Sequence, residues 1–216
     1  MSNVASGLEI LAVEPFDEAE LLARLRLTRL RGFGKAALYD EASVELVHAL
    51  DPATLAPAQR YVLAPTVRAL IGLRAALAPW GIDPLALRGG ALIRTAEHPA
   101  EAIPLVPPIV ERSLEHDGKS VRLIADGLHR VSAARALRLP ISVVLVSGVP
   151  AIRPYYAQAL AGGWSEVEQL EELPDSYEKK TYRLPGCYKA LFREFNGVFP
   201  GVQAERKRSN PAHLRR

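Results

Sequence analysis

The chain has 216 residues, 49% of them hydrophobic and 24% charged, with a formal net charge of +3. That length suits one core domain with appended pieces, and the apolar content excludes an intrinsically disordered chain. The single cysteine, Cys187, excludes disulfide scaffolds and all-cysteine metal sites, and the small positive excess favours anionic ligands without marking a dedicated polynucleotide binder.

The sequence contains no run of about eighteen uncharged apolar residues, and its first sixteen residues lack the basic start and apolar block of a secretory signal. The expectation is a soluble cytoplasmic protein that makes no use of a membrane. Periodicity divides the chain into an N-terminal helical region (1–88), a mixed strand-and-helix core (89–150) and a C-terminal helical extension with a basic tail (151–216).

In chain order, Asp17 is a natural cap for a helix whose Leu21, Leu22, Leu25 and Leu30 share one face, with Gly32 as its stop. Amphipathic runs from Asp40 (Val44, Val47, Leu50) and from Thr66 (Val67, Leu70, Leu73, Leu77) predict two more helices, and the three together a small bundle. Pro84 and the pair Gly89-Gly90 interrupt the helical pattern before Ala91-Leu92-Ile93-Arg94, a short strand. Residues 109–114 and 120–125 flank His116-Asp117-Gly118-Lys119, where Asp-Gly supplies the positive φ of a tight hairpin. Residues 129–137 read as a helix, Pro140 breaks it, and residues 141–146 read as a buried strand. The core order is therefore strand, strand, helix, strand.

Beyond Pro150, short helices are expected around residues 155–160, over about 165–173, and after Gly186. Tyr188, Leu191, Phe192 and Phe195 make a packing stripe on the last of these. The tail, from Arg206-Lys207-Arg208 to Arg215-Arg216, is basic and reads as a solvated end that can reach nucleic-acid phosphates.

Chemistry concentrates where the second hairpin strand meets the following helix, at Asp126-Gly127-Leu128-His129-Arg130. Free N–H groups and the positive dipole end of a helix favour an anion there, Gly127 lets the backbone approach it, and His129 and Arg130 add directed donors. Asp126 sits where it can hold a divalent metal against phosphates or take a proton from an attacking hydroxyl. The competing reading makes Asp126 a plain helix cap and His129 and Arg130 ordinary surface residues. Cations in a first turn oppose the helix dipole, which favours the functional reading. His48, His116 and His213 have no partner at metal-ligand spacing, and no Walker loop, dinucleotide fingerprint or Gly-x-Ser-x-Gly is present.

Strand, Asp126-Gly127-x-His129-Arg130, then a helix carrying Ala133-Ala134, resembles the phosphate-binding signature of the ParB/sulfiredoxin superfamily. Pro108-Ile109-Val110 ahead of the hairpin matches the family's Pro-Ile-Val strand, and the likeness spans roughly residues 91–148. The resemblance implies an α+β fold, a small mixed sheet with helices, here preceded by the N-terminal bundle and followed by C-terminal helices. Sulfiredoxins carry a reactive cysteine immediately before the His-Arg pair. Leu128 stands there in this chain, so sulfinic acid reduction lacks its nucleophile. Partition proteins carry Gly-Glu-Arg-Arg, bind a cytidine nucleotide and continue into a helix-turn-helix, for which this chain shows no clear counterpart.

The Asp-Gly-His-His-Arg loop of the free-serine kinases of this fold is the most similar pattern, with Leu128 in place of the first histidine. That resemblance implies ATP or another nucleotide, with Mg2+, and phosphoryl transfer to a small hydroxylated molecule such as an amino acid. In it Gly127, His129 and Arg130 hold the nucleotide phosphates and Asp126 is a catalytic or metal-linked carboxylate. Glu97 is the counterpart of a base ahead of the hairpin, with Glu101 and Glu111 as rivals, and Glu97 and His98 read equally well as polar loop residues. The alternatives are a nucleotide-switched, DNA-binding regulator that uses the basic tail, and, by analogy alone, a nuclease. Lys179-Lys180, Tyr182 and Arg183 form either a solvated cationic face or a segment folded over a bound nucleotide.

Overall fold

The computed structural model describes residues 9–97 and 99–199. Its elements are β1 (Ile10–Asp17), α1 (Glu18–Arg26), β2 (Ser43–Leu50), β3 (Tyr61–Leu63), α2 (Ala64–Leu77), β4 (Gly89–Thr95), β5 (Ile103–Leu105), β6 (Ile109–Leu114), β7 (Ser120–Asp126), α3 (Leu128–Leu137), β8 (Ile141–Ser147) and β9 (Glu168–Leu170). A four-stranded sheet runs β2-β8-β6-β7, a three-stranded sheet β1-β4-β5, and β3 pairs with β9. The architecture is the α+β class read from the sequence.

The central sheet is built from the hairpin and the helix that follows it. The hairpin pairs Val110 with Ile124 and Ser113 with Val121, and α3 then carries the chain back so that β8 runs parallel to β6. One sheet face is covered by α2 and α3, with Val67, Val110, Ile124, Leu128, Val131, Ile141 and Val143 buried together. On the other face α1 contributes Leu21 and Leu25 beside Ile109, Val144 and Val146. Each of these fully buried aliphatic side chains contributes about 1.5–3 kcal/mol.

Asp17 does cap α1, accepting the Glu20 N–H at 2.9 Å, with Glu18 and Glu20 at the positive end of the helix and Arg24 and Arg26 at the other. The helix stops at Arg26, short of Leu30, whose backbone instead forms a bridge with Arg193.

Three expectations need correction. The run from Asp40 is no helix: it forms β2, antiparallel to β8 with Val44 opposite Val146 and Leu46 opposite Val144. Val44 and Leu46 pack into the core on one sheet face and Val47 and Leu50 into that on the other, the register breaking between Val47 and Leu50 where Ala49 takes a φ of 53°, so the helix-like spacing is that of a strand covered on both faces. Nor do the described residues of the 1–88 region supply a helical bundle, because β1 pairs with β4 across the boundary drawn at 88 and 89, and β2 pairs with β8. The β1 and β4 backbones meet so closely that a Cβ on Gly89 would lie 2.2 Å from the Phe16 carbonyl oxygen.

The C-terminal extension likewise contains no α-helix among its described residues. It has short 3-10 turns at Gly163–Glu166, Tyr188–Leu191 and Asn196–Val198, and the strand β9. Prolines at 150, 154, 174 and 185 interrupt any helix. The segment's amides find distant partners instead, as in Gln158 N–H to Thr181 O (2.9 Å), Arg183 N–H to Tyr156 O (3.0 Å) and Leu160 N–H to Pro57 O (2.9 Å). The basic tail, with His213, lies outside the described residues. No helix among the described residues is long and apolar enough to cross a membrane.

Candidate functional site

The site begins where β7 ends. Gly127 turns the chain with φ 84°, and a Cβ there would sit 2.9 Å from the Pro108 side chain, so both conformation and space require glycine. Pro108 leads into β6, whose Ile109 lies opposite Asp126, so the Pro-Ile-Val strand forms one wall of the turn. Gly127 is also the N-cap of α3, and no side chain caps that end. Its carbonyl accepts from the N–H groups of Arg130 (2.9 Å) and Val131 (3.1 Å), so Leu128 and His129 are the first-turn residues whose N–H groups lack an intrahelical acceptor. Asp126 is exposed and makes no capping bond, which removes the reading that treated it as the cap.

His129 and Arg130 each reach a different neighbour. The half-buried His129 accepts the Leu63 N–H on Nε2 at 3.0 Å, and Leu63 is the N-cap residue of α2. Burial lowers its pKa below the ordinary 6.5, with the charge of Asp126 partly opposing the shift. The imidazole is therefore neutral in this arrangement, with the proton on Nδ1 free to be donated. Arg130 donates from its guanidinium to the Val106 carbonyl oxygen. Burial lowers its pKa, again against the pull of Asp126, and its Nε is enclosed with no hydrogen-bond partner among the described residues. The turn is thus tied to two other segments, through Leu63 and through Val106.

Of the three glutamates considered as a base, Glu111 belongs to a different structure. It is 2% exposed on β6, and its Oε1 and Oε2 accept from Arg193 Nε (2.8 Å) and Nη2 (3.0 Å), with the Tyr39 hydroxyl donating at 2.6 Å. This fully engaged carboxylate pins the C-terminal segment to the sheet. Glu97 and Glu101 are exposed on the connection between β4 and β5, and no hydrogen bond or ion pair links either one to the turn. Asp126, Gly127, His129 and Arg130 come together; Glu97 is not shown with them.

The Lys179–Arg183 stretch divides its duties. Arg183 pairs with Glu115 and donates to the Ser113 hydroxyl at 3.1 Å, fastening the segment to the hairpin. Lys180 lies among tyrosines beside the end of β7, where the Tyr155 hydroxyl donates to the Ala125 carbonyl oxygen at 2.9 Å. Tyr155 and Tyr156 fall in a segment expected only to be a short helix, and their adjacency as an aromatic pair is the signal in the sequence that could have found them. Cys187 is exposed and free.

No group of three or more His, Cys, Asp or Glu side chains able to hold a metal occurs among the described residues. Mg2+ is characteristically held by one or two carboxylates together with substrate phosphates and water, and the single exposed Asp126 fits that mode.

Compared with known proteins, the family model of the ParB CE domain matches residues 20–168 of the chain. No curated protein and no solved structure matches it.

Proposed function

The chain belongs to the ParB CE domain family, and from that premise we propose that the β7–α3 turn binds the phosphates of a nucleotide, with phosphoryl transfer to a small hydroxylated molecule such as an amino acid as the reaction served. The observation that carries the reading is the uncapped start of α3 at Gly127. Helix amides without a capping side chain, next to the positive charge of the Arg130 guanidinium, suit a polyanion.

In this scheme the first-turn amides hold a terminal phosphate, and Arg130 stabilises charge that builds on it. The Nδ1–H of His129 supplies a further donor while Nε2 stays on Leu63. Asp126 receives the acceptor's hydroxyl proton or binds the Mg2+ that accompanies ATP, and that ion, when bound, neutralises phosphate charge. Glu97 is the candidate base contributed by the segment after β4.

The test is calorimetric titration of the whole chain with ATP, ADP, CTP and GTP, with and without Mg2+. A nucleotide at a hundredfold excess over its Kd should stabilise the fold by about 2.7 kcal/mol, and Arg130→Ala should abolish that gain. Absence of binding for every nucleotide would overturn the proposal. A purine preference favours the kinase reading; a CTP preference would replace it with a nucleotide switch.

A further inference from the structure

Lys180 is partly buried, and its ammonium donates to the hydroxyls of Tyr156 (2.6 Å) and Tyr155 (3.3 Å). It lies over both rings, 4.6 Å from the Tyr156 centroid and 5.5 Å from that of Tyr155. Among the described residues no carboxylate pairs with it. The second cation of this cluster, Arg193, sits 5.2 Å from the Tyr155 centroid, and its charge is cancelled by Glu111. One positive charge is left without a carboxylate partner, partly shielded from water and beside the rings that Arg193 also approaches, a setting that favours an incoming anion. The hydroxyl of Tyr155 cannot supply the anion, since burial and the neighbouring Tyr156 raise its pKa well above the usual value.

Around the ammonium the rings form a continuous ladder. Tyr156 faces Tyr182 with centroids 6.3 Å apart, and Tyr182 stacks on Tyr188 at 3.9 Å. Tyr182 is stacked between Tyr156 and Tyr188, and Tyr188, partly exposed at the end of the ladder, is the ring placed to meet a planar group. Because Tyr155 donates to the Ala125 carbonyl, a single hydroxyl separates Lys180 from the residue preceding Asp126.

We propose that Lys180 and the Tyr156–Tyr182–Tyr188 ladder form a second anchoring site for a nucleoside polyphosphate, Lys180 taking a phosphate oxygen and the tyrosine faces stacking the base. This rests on the nucleotide reading of the turn and adds to it a set of residues that the turn motif does not contain. Lys180 here is a binding residue whose counter-charge comes from the ligand.

The test titrates ATP and inorganic tripolyphosphate into the full chain and its variants. Lys180→Met should weaken both ligands at least tenfold, and Lys180→Arg should recover most of the loss. Tyr188→Leu should weaken ATP several-fold while leaving tripolyphosphate unchanged. Saturating ATP should also shield Lys180 from acetylation by acetic anhydride, read by mass spectrometry, which a purely structural lysine would not show. Should Lys180→Met bind ATP within twofold of the parent while Arg130→Ala loses it, this inference falls and the turn reading stands. The reverse pattern would leave the Lys180 site and remove the turn. A parent chain that binds neither ligand overturns both.

Discussion

Replacing Arg193 with methionine tests the account of what holds the C-terminal segment in place. All five guanidinium N–H groups are used: Nε and Nη2 meet Glu111 at 2.8 and 3.0 Å, Nη1 donates to the carbonyls of Pro154 (2.9 Å) and Leu191 (2.7 Å), and Nη2 also reaches the Arg153 carbonyl at 3.2 Å. The two side chains are 1% and 2% exposed, so solvent screens little of the interaction. Burial works against the charge on Arg193, yet Glu111 raises its pKa above the ordinary arginine value. Arg193→Met leaves Glu111 buried with only the Tyr39 hydroxyl as partner, and removing one member of a buried pair costs about 3–5 kcal/mol. For a chain of this size that lowers Tm by about 6–20 °C. Urea unfolding followed by the fluorescence of Trp80 and Trp164 measures the loss. The double variant Glu111→Leu with Arg193→Met should be less destabilised than the two single variants summed, by about 0.5–3 kcal/mol. A loss under about 1 kcal/mol for Arg193→Met, or strict additivity in the cycle, would refute the reasoning.

Further outcomes follow from the turn. His129 has a folded pKa below 6.5, so the unfolded chain takes up a proton first as pH falls. Stability should therefore decline as pH drops below about 6.5 and level off beneath the folded pKa, with no contribution above 6.5. His129→Gln keeps an acceptor for the Leu63 N–H and should remove that part of the decline, as seen in urea midpoints collected from pH 8 to pH 5. Gly127→Ala places a Cβ against Pro108 at a φ of 84° and should cost about 1–2 kcal/mol, checked by the same unfolding curves. Arg130→Ala should eliminate nucleotide-induced stabilisation in a thermal-shift assay while the unliganded protein retains its circular dichroism spectrum.

The parts of the fold that declare themselves locally were legible. Asp-Gly at the hairpin, Pro140 after the helix and the apolar run of β8 each carry their own signal, and β6, β7, α3 and β8 stand where those signals put them. Strand β2 departs from the helix its spacing predicts because it buries apolar side chains on both faces, Val44 and Leu46 on one and Val47 and Leu50 on the other, which removes the alternation that marks a half-buried strand. The C-terminal segment has no conformation it adopts on its own account: Tyr155, Leu191 and Arg193 are placed by partners far away in sequence. The bonds of Glu111 to Tyr39 and Arg193 span 72 and 82 residues. In the site, Asp126 to Arg130 could be singled out from the sequence, since glycine, a helix start and clustered charge lie side by side. That His129 would accept the Leu63 N–H, 66 residues away, could not be read there. Lys180 was noticed as one of a cationic run, but its place among Tyr155 and Tyr156 depends on tertiary pairing of Gln158 with Thr181 and Arg183 with Tyr156.

Backbone amide resonances of Gly127, Leu128 and His129, followed while Mg-ATP is titrated into the isotope-labelled chain, test the central claim most directly. The account predicts that these three shift furthest, saturate together, and return to their starting positions when the nucleotide is removed. Saturable binding that leaves all three unmoved would contradict it.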